Sequence, residues 1–314
     1  MSLVSKKILT AFFPLLLLLS STLNAQQTYD INGLRDLTDY WEINATAGAN
    51  SFLGDLGGNI GIGRDYMKDY NFKTEHWLLG LSGTYNVTNY LALNFGLNIT
   101  KVSGADSLIH NTGNMERWRW YRNLSFRSNI VEFNGSFTFY PTMYMHRKTV
   151  ELYRWDPFIN LGIGVFHFNP QTQLNGEWVN LKPLHTEGEG FPEYPKRKPY
   201  ALTKIYIPIN FGMKYYFNNK WALSAAVMNR VTFTDYIDDI STTYIDPNLF
   251  YKYLSPTKAA QAAQLYQRSL TPWKVKPDID KADHTNKDSY VTFVLTLSIR
   301  LDKYTPFYYP NFMR

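Results

Sequence analysis

The stretch Tyr290-Val291-Thr292-Phe293-Val294-Leu295-Thr296-Leu297-Ser298-Ile299-Arg300-Leu301 decides the fold. Val291, Phe293, Leu295, Leu297, Ile299 and Leu301 share one face, while Thr292, Val294, Thr296, Ser298 and Arg300 share the other, a period of two that belongs to an extended strand. An apolar face sustained for about ten residues opposite a face of hydroxyls and charge is the weak, repeated signature of a membrane barrel strand, lipid on one side and lumen on the other. The same pattern recurs in Trp41–Asn50 (Ile43, Ala45 and Ala47 outward), Trp77–Val87 (Leu79, Leu81 and Tyr85 outward) and Tyr90–Lys101 (Leu91, Leu93, Phe95, Leu97 and Ile99 outward). Ile130–Tyr140, Phe158–Phe168, Ile205–Phe217 and Trp221–Phe233 complete a set of eight, an even number, as a bacterial barrel requires.

The connections sort by parity. Long ones run from about 51 to 76, 102 to 128, 169 to 203 and 234 to 289; short or intermediate ones fall at Asn86–Asn89, Pro141–Asp156 and Asn218–Lys220. Both termini and the shorter turns therefore share one end, which in an outer-membrane barrel is periplasmic, and the four long loops share the extracellular end. Trp41, Trp77, Tyr90, Trp221 and Tyr290 stand at strand ends, where an interfacial aromatic girdle would hold them. Eight strands enclose a lumen filled by side chains, which argues against a diffusion pore. A secreted β-sandwich also alternates, but its connections need not sort by length.

Aromatic residues make up 17% of the 314 and charged residues 18%, too many packable rings for a disordered chain. Lys6 and Lys7, the apolar run Ile8–Leu19 and the close Leu23-Asn24-Ala25 read as a secretory signal peptide over residues 1–25. Cleavage there lowers the formal charge from +6 to +4, which is not the balance of a nucleic-acid binder. The chain has no cysteine, so disulfides, thiolate metal sites and a lipoprotein anchor are excluded together. After residue 25 no apolar run is long enough for a membrane helix. The organisation expected is a signal peptide (1–25), a periplasmic segment (26–40), an eight-stranded antiparallel transmembrane barrel (41–301) and a periplasmic tail (302–314).

Within the last long loop, Ser255-Pro256 followed by Ala259, Ala260, Ala262, Ala263 and Leu265 predicts a short helix outside the membrane, with packing over the barrel mouth as its more pointed role. Gly57–Gly63 is glycine-rich but opens no βαβ unit, so it reads as a loop and not as a phosphate cradle. Asp235, Asp238 and Asp239 could gather a hard cation such as Ca²⁺, but carboxylates accepting loop hydrogen bonds are the plainer reading, and no metal or cofactor is expected. His167 with Ser125 or Ser128 and Glu132 is the one hydrolase arrangement that can be assembled, without a nucleophile elbow or close spacing, and the chain reads as non-enzymatic. Arg117, Arg119, Arg122 and Arg127, interleaved with Trp118, Trp120 and Tyr121, could hold lipopolysaccharide phosphates. For Arg127 an inward pairing with Asp235 or Glu132 is favoured.

Several strings together resemble one family. They are Leu53-Gly54-Asp55-Leu56-Gly57, Arg122-Asn123-Leu124-Ser125-Phe126-Arg127-Ser128, Gly162-Ile163-Gly164-Val165-Phe166 after Pro157-Phe158, and Phe168-Asn169-Pro170. Leu181-Lys182-Pro183-Leu184, Thr186-Glu187-Gly188 and the run from Thr232 through Asp235, Tyr236, Asp238 and Asp239 to Tyr244 belong with them. They are similar to the PorG-like outer-membrane β-barrel proteins (the DUF6089 group) associated with the type IX secretion system, over roughly Trp41 to Asp246. The resemblance implies a non-enzymatic barrel that ties the periplasmic ring of a secretion and gliding machine, a lipoprotein plus a ring protein, to the outer membrane. The stretch Asn248–Lys287 is longer than the family leads one to expect, which leaves room for a paralogue with another partner.

A ring partner would meet periplasmic surface only. The basic and apolar turn with Met143, His146, Arg147 and Lys148, the N-terminal segment with Tyr29 and Tyr40, and the aromatic tail with Phe307, Tyr308, Tyr309 and Phe312 are the candidates. An adhesion or structural barrel, a small channel and a lipid-modifying enzyme are the competing functions.

Overall fold

The computed structural model describes residues 39–56, 74–109, 117–145, 154–218, 220–270, 276–282 and 287–301. Its strands are β1 (Tyr40–Leu53), β2 (His76–Asn86), β3 (Leu91–Ala105), β4 (Ser125–Phe139), β5 (Trp155–Leu174), β6 (Glu177–Asn180), β7 (Thr203–Tyr216), β8 (Trp221–Thr232) and β9 (Ser289–Arg300). All but β6 form the wall of one barrel, each antiparallel to its neighbours, with β5 paired to both β4 and β7. The wall closes where β1 meets β9, from Glu42↔Arg300 to Leu53↔Ser289. That closure excludes the sandwich and leaves no wall strand with an unpaired edge.

All eight expected strands are present, and several continue beyond the predicted bounds toward the long-loop end. β5 reaches Leu174, where Asn175 (φ 54°) and Gly176 (φ 88°) turn the chain into β6. Two consecutive left-handed residues make the tight hairpin whose twist suits antiparallel strands, and Asn-Gly supplies it at low steric cost. At the opposite end, the Asn218 side-chain oxygen accepts from the backbone N–H of Lys220 (2.8 Å) and Trp221 (2.9 Å), a side-chain-mediated turn. The short α1 (Arg117–Arg122), α2 (Pro141–Met145), α3 (Asn248–Tyr253) and α4 (Pro256–Leu265) all lie in connections.

The outside of the wall is apolar: Leu81 is 64% exposed, Phe137 67% and Trp77 77%. A continuous wall of this kind is not stable in water, and lipid is the solvent it fits. Along β5 the outward positions from Trp155 to Val165 are apolar, about 24 Å of height at a 45° tilt, which matches the hydrocarbon core. Trp41 packs on Tyr85 (5.1 Å between centroids) and Trp155 on Tyr215 (4.6 Å) at the short-turn rim, with Trp221 beside them and Trp77 at the other rim. Two expected girdle residues are not girdle. Tyr290 is fully buried in the lumen, because it shares the parity of Thr292 and not of Phe293, and Tyr90 packs on Tyr144 beneath the barrel.

Candidate functional site

Three layers fill the barrel along its axis. At the short-turn end Tyr40, Ala92, Tyr140 and Met143 form a small apolar plug, with Tyr90 and Phe158 packed against it and the Arg300 guanidinium over the Tyr40 ring at 3.8 Å. Lys214 Nζ donates to both carboxylate oxygens of Glu42, at 2.8 and 2.6 Å, in a pair with almost no exposure. Above it lies a polar chamber of about 100 Å³, lined by Asn44, Asn160, Asn210 and the hydroxyls of Thr84, Ser136 and Thr138. These side chains bond one another, as in Asn210 Nδ2 to Asn160 Oδ1 at 2.8 Å, and the space left suits several waters.

The chamber ends at Glu132. Its carboxylate accepts from Tyr290 Oη (2.6 Å), Asn98 Nδ2 (3.0 Å) and Tyr206 Oη (3.3 Å), and pairs with Arg230 Nε at 3.0 Å. Arg230 also lies over the Tyr290 ring at 4.9 Å and donates to Thr292 Oγ1. Five strands thus converge on one buried ion pair. Gly164 is needed beside it, since a Cβ there would stand 2.4 Å from the Tyr206 ring. Over this layer Phe52, Val102, Phe126, Ile130, Phe166, Phe168 and the loop residues Ile237 and Ile240 make the main apolar core, so apolar packing stands at both ends of the described lumen.

The long loops fold over that seal as a cap. Its own apolar cluster joins Leu181, Leu184, Phe191, Tyr244, Ile245 and Phe250 to Ala259, Ala262 and Leu265 of α4, whose spacing of three buries one face. The predicted helix is therefore present, and it packs into the cap. Between cap and barrel sit buried carboxylates. Asp238 accepts from Leu56 N (3.2 Å) and Ile240 N (3.0 Å), Asp239 from Thr186 Oγ1 (2.8 Å) and Tyr200 Oη, Asp235 from Ser241 Oγ (2.8 Å), and Asp288 from Ile237 N (2.9 Å). Glu187 accepts from Ser241 N, Thr242 N and Thr242 Oγ1 and faces Lys281 Nζ at 3.5 Å. Among the described residues no group of three or more acidic or histidine side chains is arranged to hold a metal ion; the aspartates accept from loop N–H and O–H groups.

Arg122 ties this layer together. It grips Asp106 through Nε (2.8 Å) and Nη2 (2.9 Å) and donates to the backbone oxygens of Lys281 and Asp55, each at 2.6 Å. The segments containing Asp55, Arg122, Glu187 and Asp235 through Asp239, distant in sequence, meet here. Tyr236 stacks on Tyr200, 4.5 Å between centroids.

Several expectations need correcting. Arg122 is spent on internal contacts and offers nothing to an external phosphate; Arg117 and Trp118 of α1 remain exposed. Arg127 does not point inward. It lies over the Trp178 ring at 3.4 Å, with Nε on Gln171 Oε1 at 3.1 Å, and the lumen partner of Glu132 is Arg230. The hydrolase arrangement is not assembled: His167 is exposed outside and bonds Thr203, Ser125 bonds Thr172, Ser128 accepts from Asn169 N, and Glu132 is in the lumen. Tyr40 and Met143 are buried in the plug and present no docking surface. Tyr29, His146, Arg147, Lys148, Phe307, Tyr308, Tyr309 and Phe312, the signal peptide and Gly57–Gly63 lie outside the described residues. A histidine–serine contact that sequence reading missed, His76 Nε2 to Ser103 Oγ at 2.8 Å, has no acid among the described residues bonded to its other ring nitrogen.

Comparison with solved structures finds barrels of the outer membrane. The N-terminal β-barrel domain of OprF from Pseudomonas aeruginosa is 10% identical over 84% of this chain and 98% of that one, with a TM-score of 0.32. OprG from the same organism is 10% identical over 87% and 100%, at 0.36, and Ail, the attachment invasion locus protein of Yersinia pestis, 9% over 84% and 99%, at 0.30. The likeness is one of fold. No family model and no curated protein matches the chain.

The cap carries a pH signature. Burial raises Asp238 and Asp288 well above the usual carboxylate range, helped by their proximity to Asp55 and Asp235. Burial likewise raises Asp239 to about 6, and burial plus Asp239 and Glu187 raise Glu189 to about 8, against the opposing charge of Lys281. In unfolded loops these groups would titrate near 4, so the folded cap binds the extra protons between about pH 4 and 8. Its stability is complete below about 4 and falls as pH rises through about 6 and about 8. Hydrogen exchange at the amides of Ile237, Ile240 and Ser241, corrected for intrinsic rate, is expected to show cap opening increasing from pH 5 to 9. Opening that stays constant or decreases over that range would contradict the shared protons.

Proposed function

We propose that the chain is an outer-membrane barrel that acts as a non-enzymatic scaffold of the type IX secretion machinery, with its short-turn end in the periplasm facing a lipoprotein and ring protein. The observation that carries this reading is the sealed lumen. An apolar plug, two buried ion pairs and a capped core leave no continuous path among the described residues, and such a barrel works through its surfaces. The resemblance of the cap-building segments to PorG-like proteins adds the identity of the machine. The ring-facing surface in this reading consists of the periplasmic turn with His146, Arg147 and Lys148 and the two terminal segments.

A second reading, a structural or adhesion barrel, is favoured by one feature: the long loops form an ordered cap with its own apolar core, more than a closed barrel needs. In-cell lysine crosslinking with peptide mass spectrometry separates the two. The scaffold reading expects links from Lys148 or Lys303 to a periplasmic lipoprotein or ring protein. Links confined to surface proteins or lipopolysaccharide, through Lys196 or Lys258, would overturn it in favour of adhesion.

A further inference from the structure

Outside the wall, at the rim of the long-loop end, stands a cation set apart from the internal networks. We propose that Arg127, stacked on Trp178 and flanked by Lys101, is a binding site for a phosphate of the outer-leaflet lipid, the phosphorylated glucosamine head group of lipopolysaccharide.

Height is the first argument. Outward positions on β4 run Phe137, Gly135, Phe133 and Val131, all apolar or bare, then Asn129, then Arg127. Each outward step rises about 5 Å along the membrane normal at a 45° tilt, so Arg127 stands roughly 10 Å above the last apolar residue. That is the head-group layer.

Geometry is the second. The guanidinium lies 3.4 Å from the Trp178 ring, and its Nε is fixed on Gln171 Oε1 at 3.1 Å. Gln171 is held in turn by Asn180 Oδ1, at 2.8 Å, which also accepts from Asn169 Nδ2 at 3.0 Å. The Trp178 ring covers the guanidinium and this ladder occupies Nε, while no described residue accepts from the terminal N–H groups, the fork that suits phosphate oxygens. No described carboxylate pairs with Arg127 or Lys101. Glu177, the nearest acid in sequence to the platform, alternates to the other face of β6 with Val179, which packs against the cap.

Charge complementarity is the third. Lys101 pairs with Asn129 and Ser103 with Arg127, so the two cations are diagonal cross-strand neighbours about 7–8 Å apart at the backbone, a span that one phosphate monoester bridges. A neutral hairpin would serve the cap equally well; the ordered cation in the head-group layer is what calls for an anion.

The site rests on the outward orientation of the long loops, but its test does not. The full-length barrel is placed in phosphatidylcholine nanodiscs containing lipopolysaccharide, dephosphorylated lipopolysaccharide or phosphatidylglycerol, and retained lipid is measured by native mass spectrometry. Wild type and Arg117→Gln are expected to retain phosphorylated lipopolysaccharide at least tenfold over the other two lipids. Arg127→Gln and Trp178→Ala should each lose about that factor, and Lys101→Gln a smaller one, with heat-modified gel migration confirming that each barrel is folded. Equal retention by Arg127→Gln, or of the dephosphorylated lipid, would overturn the site. Equal retention of phosphatidylglycerol would overturn it too, by reducing it to a general anionic surface. Failure of the orientation would appear elsewhere, as protection of a cysteine placed at Asn175 from labelling on whole cells.

Discussion

Replacing Glu132 with Ala is expected to destabilise the barrel by about 3–5 kcal/mol, the cost of stranding one member of a buried pair. Arg230 has no exposure, and its guanidinium would face an empty space inside the membrane with Thr292 as its remaining side-chain acceptor. Asn98 and Tyr290 would lose their acceptor in the same step. The measurement is the urea midpoint of the refolded protein in detergent, read by heat-modified gel migration. The double replacement Glu132→Met with Arg230→Met should recover most of the loss, because apolar groups of similar volume often match a buried pair. A wild-type midpoint for Glu132→Ala would show that the five-strand network does not hold the lumen together.

The second large effect is confined to the cap. Arg122→Ala removes both contacts to Asp106, which is fully buried, and frees the backbone oxygens of Lys281 and Asp55. Three long loops lose their common tie, and a buried carboxylate loses both guanidinium contacts while still accepting from the Leu124 N–H at 3.0 Å. Local opening of the cap should rise on the order of a hundredfold or more, the equivalent of about 3–5 kcal/mol, read as faster proteolysis of the loops. The barrel midpoint should stay within about 0.5 kcal/mol of wild type, since the lumen network shares no partner with Arg122. Arg122→Lys should rescue only in part, because an ammonium cannot span a carboxylate and two carbonyls in one plane. Unchanged proteolysis would mean that the cap's apolar cluster alone sets its stability.

The wall was legible because a period of two survives in each strand and lipid enforces it. Parity, applied consistently, would also have corrected two errors. Arg127 and Glu132 are five positions apart, an odd offset, so a regular strand puts them on opposite faces; Arg230 shares the inward face of β8 with Ala222 and Ser224. Tyr290 fails as a girdle residue for the same reason. The β6 hairpin went unread inside the long connection 169–203, although Asn175-Gly176 is a strong turn signal and Trp178 beyond it is what Arg127 rests on.

The cap was not legible in the same way. Its loops follow no period, and its carboxylates acquire meaning only when Asp55, Glu187 and the pair Asp238 and Asp288 arrive from three connections at one buried layer. A string such as Thr234-Asp235-Tyr236-Ile237-Asp238-Asp239 reads as a cation loop or, more plainly, as a set of acceptors for loop hydrogen bonds. Distances to Leu56 N, Ile240 N and Thr186 Oγ1 show these carboxylates accepting from loop N–H and O–H groups. Two of the docking candidates, Tyr40 and Met143, failed for a related reason. Tyr40 and Met143 are apolar residues at a barrel end, and such residues serve to close the lumen as readily as to meet a partner.

The direct test of a barrel that works from its surfaces is conductance in planar bilayers, with the full-length protein inserted at defined copy number. A lumen closed by the Tyr40–Met143 plug, the Glu42–Lys214 and Glu132–Arg230 pairs and the Ile237–Ile240 core should give a silent membrane at either polarity. Stable unitary steps from the folded wild-type protein would contradict the seal and return the channel reading.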